Sequence, residues 1–299
     1  MRALITGGQG FVGRHLAAHL HDLGDEVTVI DIEHDVTNVD DMRDVVTSTS
    51  PDVVYHLAAI SHVGTSWSDP NAVLKVNVLG TASVLAAARS VPDITTVLVS
   101  SAEVYGVVDE SDLPLRETTP ARPATPYAAS KLAAEIVAQQ SVRGYGQRVV
   151  IARAFNHIGP GQAPTFFVPA LAQRIRAAHA KGLTSIAVGN LSSRRDFTDV
   201  RDVVRAYAAL ARDGQSGEVY NVATGVDYSM HDVADMLRDA VDPSITFDVD
   251  PSLLRPVDIP VLRGSADKLT AATGWRPTFT LRDTLRDVLN ATPLPSNED

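Results

Sequence analysis

The sequence contains no cysteine, so disulfide bridges, thiolate nucleophiles and cysteine-ligated metals are all excluded. Lysine is nearly as scarce: four lysines stand beside 22 arginines, and the acidic residues bring the formal net charge to −10. That balance argues against a broad nucleic-acid-binding surface. Any anionic ligand must then be held by a few well-placed cations or by the N-termini of helices.

Long apolar runs are also missing from the sequence. None approaches the roughly 20 residues that a bilayer-spanning helix needs, and a strand-like segment begins directly at Met1, without a secretory signal. We therefore expect a cytoplasmic protein with no membrane partner. Hydrophobic residues make up 44% of the 299 residues, which is enough to form one large or two modest globular domains.

Strand-like and helix-like segments alternate along the first half of the chain. Continuous apolar runs such as VVYHLA, TTVLVS and VVIAR are typical of buried parallel strands. Alanine-rich or amphipathic stretches with helical periodicity lie between them. The predicted strands cover 1–6, 27–31, 52–57, 95–100 and 148–153, and the predicted helices cover 14–23, 70–90 and 126–143. This order predicts an α/β fold with a doubly wound parallel sheet.

The pattern changes near residue 155, where glycine and proline cluster before shorter mixed segments. We predict helices over 169–181, 200–212, 229–240 and 281–289, with Ser229 as the N-cap of the third. This change of pattern predicts one domain over 1–155 and a smaller, partly interleaved α/β domain over 156–292. Some strands and helices of the smaller domain are expected to return to the first, and 293–299 is expected to be a flexible tail.

Three glycines follow the first strand with the spacing G-x-x-G-x-x-G and precede a helix. Gly7, Gly10 and Gly13 would permit a tight turn and a close backbone approach to a pyrophosphate at the helix N-terminus. Asp31 ends the next strand, where a carboxylate accepts hydrogen bonds from ribose hydroxyls and disfavours a 2′-phosphate. The first domain is thus predicted to be a Rossmann domain that binds NAD(P), with NAD(H) favoured and NADP(H) still possible.

A second motif lies on the helix predicted after Thr125. Tyr127 and Lys131 form Y-x-x-x-K, so both side chains share one helix face. An ammonium beside a phenol should lower the phenol pKa and make Tyr127 a proton donor or acceptor near neutral pH. Ser101, at the end of an upstream strand, supplies a hydroxyl that can bind the reacting oxygen.

Together these motifs resemble those of a known family. G-x-x-G-x-x-G, H-L-A-A, N-V-L-G-T, S-S-A-E-V-Y-G and P-Y-A-A-S-K are similar to motifs of the extended short-chain dehydrogenase/reductases that act on nucleotide sugars. The segments R-A-F-N-H-I-G-P-G-Q, R-R-D-F-T-D-V-R-D and Y-N-V-A-T-G narrow the resemblance to the GDP-4-dehydro-6-deoxy-D-mannose reductases. The GDP-mannose 4,6-dehydratases are the nearest related group.

The resemblance implies roles for further residues. It implies catalysis by Ser101, Glu103, Tyr127 and Lys131, without a metal. Additional cofactor contacts are implied at Phe11, Val12, Asp35, Val36, Leu57, Ala58, Ala59 and Asn77. Substrate contacts are implied at Ser61, His62, Ser66, Ser101, Asn156, Val168, Arg195, Arg255 and Asp258. The helices predicted over 70–90 and 126–143 match those that form a four-helix bundle across a dimer axis in this family, so a homodimer is expected.

The implied activity is the NAD(P)H-dependent reduction of a nucleotide-linked 4-keto-6-deoxyhexose. The expected conversion is GDP-4-dehydro-6-deoxy-D-mannose to GDP-D-rhamnose. The alternative enzymes are a GDP-mannose 4,6-dehydratase and a nucleotide-sugar 4-epimerase, each retaining tightly bound NAD. A cofactor-sensing binding protein that has lost catalysis is a further alternative, but the intact Ser101, Tyr127 and Lys131 argue against it.

One departure from the family pattern bears on that choice. Ala102 stands where many dTDP-sugar dehydratases carry an aspartate that protonates the leaving hydroxyl, although Glu103 is retained. Without a positioned acid, elimination of hydroxide slows by about 10²–10⁴-fold. We therefore expect inefficient dehydration of GDP-mannose or dTDP-glucose. GDP-mannose dehydratases also lack that aspartate and use a hydroxyl with a glutamate, so this alternative stays open.

Overall fold

A six-stranded parallel sheet with the order β2-β1-β3-β4-β5-β9 organises the structure, a computed structural model that describes residues 1–253 and 259–293. Its strands are β1 (Arg2–Thr6), β2 (Glu26–Ile30), β3 (Val53–His56), β4 (Thr95–Ser101), β5 (Arg148–Ala154) and β9 (Val219–Val222). The order reverses between β1 and β3, and in such sheets ligands bind at the carboxyl ends of the strands beside that reversal. The predicted doubly wound α/β fold is confirmed.

Smaller sheets form from the second half of the chain. β8 (Arg194–Asp199) pairs with β6 (Asn156–Ile158), β10 (Asp227–Ser229) and β12 (Val261–Leu262), and β7 (Ser185–Val188) pairs with β11 (Thr246–Val249). Most of these strands have two to four residues, which is too short for a period-two pattern to show. They were accordingly absent from the sequence prediction.

Helices cover both faces of the main sheet, and others pack against the smaller sheets. They are α1 (Phe11–Asp22), α2 (Val39–Thr49), α3 (Val63–Ser66), α4 (Pro70–Leu74), α5 (Gly80–Ala88), α6 (Pro126–Tyr145), α7 (Phe167–Lys181), α8 (Val200–Asp213), α9 (Met230–Asp239), α10 (Asp267–Thr273) and α11 (Leu281–Ala291). A π-helical turn over Lys75–Leu79 connects α4 to α5, and 3-10 turns cover Ala102–Tyr105, Glu110–Asp112 and Pro251–Leu253. The predicted N-cap Ser229 is confirmed, since its side chain accepts from the Asp232 backbone N–H in a capping box.

The apolar core divides along the same lines. One cluster packs α1 and α8 against the sheet, and includes Leu16, Tyr55 and Tyr207. A separate cluster joins α7, α9 and α11 with β7 and β8. Because α8 and β9 come from the second half of the chain yet pack on or in the first sheet, the two halves interlock beside the carboxyl ends of the strands.

The stretch Pro70–Ala88 corrects the expectation that no segment of the chain is long and apolar enough to span a bilayer. By length and composition it passes as a membrane-spanning segment, with half of the residues in its apolar window buried inside the fold. The alanines and aliphatic residues of α4 and α5 raise its mean hydropathy. A buried core helix of a soluble protein meets the same criteria of length and composition. One such segment is weak evidence for a membrane span.

Candidate active site

The glycine turn packs directly against the segment that follows β3. Gly7 has a φ of +69°, and a Cβ there would lie 2.8 Å from the Ala58 backbone. A Cβ on Gly13 would lie 2.5 Å from the Cα of Gly8, so α1 can start this close to the turn only without a side chain. The turn, the N-terminus of α1 and the end of β3 form one wall of a cleft of about 960 Å³, called here the main cleft.

Asp31 lies in the main cleft immediately after β2. Its carboxylate accepts from the backbone N–H of Gln9 in the glycine turn at 2.8 Å and from that of Ile32 at 3.0 Å. These bonds hold the carboxylate beside the turn. Asp35 also lines the cleft, and hydrogen bonds from the Thr37 backbone and hydroxyl lower its pKa. This end of the cleft therefore carries fixed negative charge.

Most of the site residues expected from the sequence line this one cleft. They are Gly7, Gly10, Phe11, Val12, Gly13, Asp31, Asp35, Val36, Leu57, Ala58 and Ala59 towards the glycine turn, with Ser61, His62, Ser101, Glu103, Tyr127, Lys131, Asn156, Val168 and Arg195. The lining of the cleft thus extends from the end of β2 to the strand β8.

Two expected residues that the structure describes, Asn77 and Ser66, do not line the cleft. Asn77 is buried behind the cleft, where its amide donates to the Ile60 carbonyl and accepts from the Ile60 N–H, and so holds the segment after β3. Ser66 is also buried, with its hydroxyl bonded to the Val63 carbonyl at 2.7 Å. Arg255 and Asp258 fall outside the described residues.

Helix α6 carries the Y-x-x-x-K motif into the cleft. Thr125 caps the helix by accepting from the Ala128 N–H at 3.1 Å, and Pro126 occupies the first turn. This start places Tyr127 and Lys131 on the buried face, where they are 8% and 6% exposed. The Ser101 hydroxyl lies close enough to the Tyr127 phenol to lower its pKa, and both residues line the main cleft.

Burial dominates the ionisation of Tyr127 and Lys131. It raises the pKa of Tyr127 to about 12, an effect that Glu103 reinforces and that the Ser101 hydrogen bond opposes. It lowers the pKa of Lys131 to about 8, against the attraction of the Glu135 carboxylate. The lysine Nζ donates to the Val99 carbonyl at 2.8 Å.

The expected lowering of the Tyr127 pKa by Lys131 is therefore wrong for this structure. The pattern Y-x-x-x-K shows that the two side chains share a face, but loss of solvent around the phenol outweighs the effect of a neighbouring charge. A neutral phenol at physiological pH is nonetheless the form that can donate a proton to a reacting oxygen.

The opposite wall of the cleft comes from the second half of the chain. Arg195 on β8 is 7% exposed, and its guanidinium donates to the Ile259 carbonyl at 2.7 Å and to the Arg194 carbonyl at 2.8 Å. His62 caps α3 by accepting from the Thr65 N–H at 3.1 Å, and its ring centroid lies 6.0 Å from that of Phe166. A buried guanidinium in a cleft of this kind suits an anionic ligand group.

Sequence reasoning missed two features beside the site. His157 lines the cleft and stacks on Phe11 of the glycine turn, with ring centroids 6.3 Å apart and planes 10° from parallel. Its position directly after Asn156 was the available signal. Glu135 and Arg153 form a buried ion pair behind Lys131. The signal there was a glutamate one turn after the motif lysine.

Within the residues 1–253 and 259–293, no three histidine, aspartate or glutamate side chains are grouped closely enough to hold a metal ion. Ser101 and Tyr127 line the main cleft and offer hydroxyl groups that can donate hydrogen bonds to a carbonyl oxygen.

Comparison with known proteins agrees with this geometry. The family model for GDP-mannose 4,6 dehydratase matches residues 32–288. The chain is 37% identical to the GDP-6-deoxy-D-mannose reductase of Pseudomonas aeruginosa over 294 residues, covering 97% of this chain and 96% of that one. It is 30% identical to the GDP-6-deoxy-D-talose 4-dehydrogenase of Aggregatibacter actinomycetemcomitans, with 94% of each chain covered.

Solved structures give the same result. The structure of RMD from Pseudomonas aeruginosa complexed with NADPH superposes with a TM-score of 0.89 at 35% identity, covering 97% of this chain and 98% of that one. The UDP-glucose 4-epimerase of Thermus thermophilus in complex with NAD has a TM-score of 0.87 at 30% identity, covering 98% and 99%. The chain belongs to the GDP-mannose 4,6-dehydratase family, within the extended short-chain dehydrogenase/reductases.

Proposed function

We propose that this protein uses NAD(P)H to reduce the keto group of a nucleotide-linked 4-keto-6-deoxyhexose. The expected substrate is GDP-4-dehydro-6-deoxy-D-mannose and the expected product is GDP-D-rhamnose. The observation that carries the proposal is that Ser101, at the end of β4, and Tyr127, on α6, line the same part of the main cleft. Their hydroxyl groups can bind and protonate a ketone oxygen, whereas the methyl group of Ala102 cannot serve as the acid that elimination requires. The near full-length similarity to a GDP-6-deoxy-D-mannose reductase supports it.

The main cleft fits a nicotinamide dinucleotide, whose reduced ring supplies a hydride for the sugar C4 when it is bound. The backbone of the glycine turn and the N-terminus of α1 would bind its pyrophosphate, and Asp31 would accept from the ribose hydroxyls. Lys131 would bind the nicotinamide ribose as an ammonium.

The proton comes from the protein. Tyr127 donates its phenolic proton to the C4 oxygen as that oxygen gains the negative charge of the incoming hydride, and Ser101 holds the same oxygen through a hydrogen bond. One hydride and one proton convert the ketone to an alcohol, so no other group is consumed. Solvent restores the proton on Tyr127 after product release.

NADH is the proposed cofactor in preference to NADPH. The Asp31 carboxylate is fixed beside the glycine turn by the Gln9 N–H, and Asp35 adds a second carboxylate to that end of the cleft. A 2′-phosphate would meet like charge there. The similar Pseudomonas structure is complexed with NADPH, so the proposed preference for NADH would distinguish this protein from that one. Assays of the reaction with each cofactor test this.

Substrate binding is assigned to the wall built by the second half of the chain. Arg195 and Asn156 are proposed to hold the nucleotide diphosphate, and Ser61, His62 and Val168 to line the sugar position. Ser66 would act by shaping that loop from behind, as Asn77 does for the cofactor segment. We propose a division into a cofactor domain over 1–155 and a smaller sugar domain over 156–292, from which α8 and β9 return to the cofactor domain.

We further propose that the protein is a cytoplasmic homodimer. Three aliphatic side chains are exposed on the helical pair formed by α4 to α5 and α6: Leu74 is 42% exposed, Leu79 55% and Ile136 60%. Exposed aliphatic side chains on neighbouring helices favour burial against a second copy of the same surface.

GDP-mannose 4,6-dehydratase activity is the second candidate. Glu103 lines the cleft one residue after Ala102, and the matching family model carries that activity in its description. Two incubations separate the candidates: the 4-keto sugar nucleotide with NADH or NADPH, and GDP-mannose with oxidised cofactor. Stoichiometric oxidation of the reduced cofactor in the first supports the reductase. Rapid formation of a 4-keto-6-deoxy product in the second would replace it with the dehydratase.

A further inference from the structure

A buried carboxylate lies directly behind the lysine of the proposed active site. Glu135 is one helical turn after Lys131 on α6, and it is 1% exposed. Residues four apart on a helix are neighbours, with Cβ atoms about 5–6 Å apart, so both side chains face the sheet together. Lys131 is itself buried, and a buried ammonium needs a counter-charge to remain protonated.

The Glu135 carboxylate is held by two neighbouring strands. Arg153 on β5 donates to both oxygens, from Nε at 2.9 Å to one and from Nη2 at 2.7 Å to the other. The Ser100 hydroxyl, at the end of β4, donates to the first of these oxygens. Ser100 directly precedes Ser101, so this carboxylate links the helix of Tyr127 and Lys131 to the strand that carries the serine.

The connection continues to the next elements of the site. Arg153 also donates to the Tyr105 hydroxyl at 3.0 Å, and Tyr105 donates to the Asn221 side chain on β9 at 2.7 Å. Tyr105 ends the 3-10 turn that bears Glu103. The buried network therefore spans the structural elements that carry Ser101, Glu103, Tyr127 and Lys131.

Stability alone does not explain a charged network in this position. A buried ion pair is often no more stabilising than apolar side chains of similar volume, because the desolvation of both charges offsets their attraction. Here the carboxylate lies one helical turn from a buried lysine whose Nζ donates to a neutral carbonyl, that of Val99.

The other groups around Lys131 provide no comparable negative charge at that point. His56 on β3 is buried between Thr6 and Thr81, and burial lowers its pKa to about 3, so it is neutral. The titratable or charged side chains on the elements packed around Lys131 are Tyr127, Glu135, Arg143 and Tyr145 of α6, His56 of β3, Glu103 and Tyr105 of the 3-10 turn, Arg148 and Arg153 of β5, and the exposed Lys75 of the π-helical turn. Among the described residues, Glu135 is the charge that favours the ammonium form of Lys131.

We propose that Glu135 is a positioning residue that serves as the fixed counter-charge of Lys131, held in place by Arg153 and Ser100. The inference rests on the proposed function, in which Lys131 binds the cofactor as an ammonium. Glu135 does not itself line the main cleft. It acts through Lys131, and it keeps that residue charged at the pH where the protein binds its cofactor.

The test measures the affinity for NADH as a function of pH, by the fluorescence of the bound cofactor. Because burial lowers the pKa of Lys131 to about 8, the affinity of the unsubstituted protein should fall as the pH rises through that value. In Glu135→Gln the fall should begin about one pH unit lower. At about pH 9 the NADH dissociation constant of this variant should then be about tenfold higher than that of the unsubstituted protein, whereas the two constants should be equal at about pH 6.

Two further variants separate charge from structure. Ser100→Ala removes one hydrogen bond to the carboxylate but keeps its charge, so the pH midpoint should stay within about 0.3 units of the unsubstituted protein. Glu135→Leu with Arg153→Met replaces the ion pair by apolar side chains and should recover any melting temperature that Glu135→Gln loses. The double variant should keep the lowered pH midpoint, because Lys131 still lacks its counter-charge.

The inference is overturned if Glu135→Gln keeps the midpoint of the unsubstituted protein. It is also overturned if the double variant regains that midpoint together with the melting temperature, since the pair would then be purely structural. The double variant decides the matter if Glu135→Gln does not fold. Failure of the proposed function would be seen separately, as absent turnover of the 4-keto sugar by the unsubstituted protein.

Discussion

Gly13→Ala should damage both folding and cofactor binding, by an amount that the structure allows us to work out. A Cβ on Gly13 would lie 2.5 Å from the Gly8 Cα and 2.6 Å from the carbonyl oxygens of Gly7 and Gly8. All three contacts are with backbone, so no flexible side chain can move aside. The turn must shift by about 0.9 Å to reach an ordinary contact of 3.4 Å.

Such overpacking destabilises a protein by about 1–3 kcal/mol, against a gain of about 0.5–1 kcal/mol when a helical glycine becomes alanine. We expect a fall of several degrees in the melting temperature, measured by circular dichroism. The displaced N–H groups at the start of α1 should weaken NADH binding about tenfold or more, since a shift near 1 Å is large for a preformed site. Fluorescence titration measures this loss.

Gly144→Ala is the matched control for that experiment. Gly144 is also a helical glycine, on α6, but a Cβ there would meet only the end of the flexible Gln140 side chain. This variant should be as stable as the unsubstituted protein, or more stable, with unchanged NADH affinity. If Gly13→Ala behaves like Gly144→Ala in both assays, the glycine turn does not bind the cofactor as described.

Three further outcomes are expected. Tyr127→Phe should lower kcat by about two orders of magnitude while the NADH dissociation constant stays within about twofold, because only the proton donor is lost; near-normal turnover would remove Tyr127 from the mechanism. Asp31→Ser should raise kcat/KM for NADPH relative to NADH by about tenfold, since like charge at the 2′ position is removed, and an unchanged ratio would contradict the assignment of Asp31. Ile136→Glu, on the exposed face of α6, should convert the proposed dimer to a monomer in analytical ultracentrifugation, and a dimer that persists would place the interface elsewhere.

The parallel strands and the motif helix could be predicted because their signals are local. The apolar run TTVLVS becomes β4, with little exposure over its length, and Thr125 with Pro126 marks the start of α6. Y-x-x-x-K then requires only helical periodicity to place Tyr127 and Lys131 together. The glycine turn was equally accessible, since its chemistry depends on residues that are adjacent in the sequence.

Helix α2 was missed because its sequence is mostly polar. Only Met42, Val45 and Val46 are buried, and the flanking side chains carry charge. The signal that could have found it is Asn38, whose side chain accepts from the N–H groups of Asp40 and Asp41 as an N-cap. The π-helical turn over Lys75–Leu79 interrupts the single helix predicted over 70–90, and no pattern in the sequence indicates this turn.

Properties that depend on distant packing could not be predicted. Asn77 and Ser66 carry motif positions, yet the structure places both behind the cleft wall, which sequence spacing cannot distinguish from its lining. The pKa of Tyr127 moves opposite to the expected direction because burial involves elements far apart in sequence. The pairing of Glu135 with Arg153 joins residues from two elements for the same reason.

The central claim is that Tyr127 and a bound nicotinamide reduce a sugar ketone at C4. The most direct test supplies GDP-4-dehydro-6-deoxy-D-mannose with NADH deuterated at the transferable position of the nicotinamide, and analyses the product by NMR. The account predicts a 4-hydroxy product with deuterium bound to C4, in one stereochemical configuration, and one oxidised cofactor for each product formed. A sugar recovered without deuterium at C4, or cofactor that returns to its starting redox state after turnover, would contradict the account and indicate a dehydratase or an epimerase.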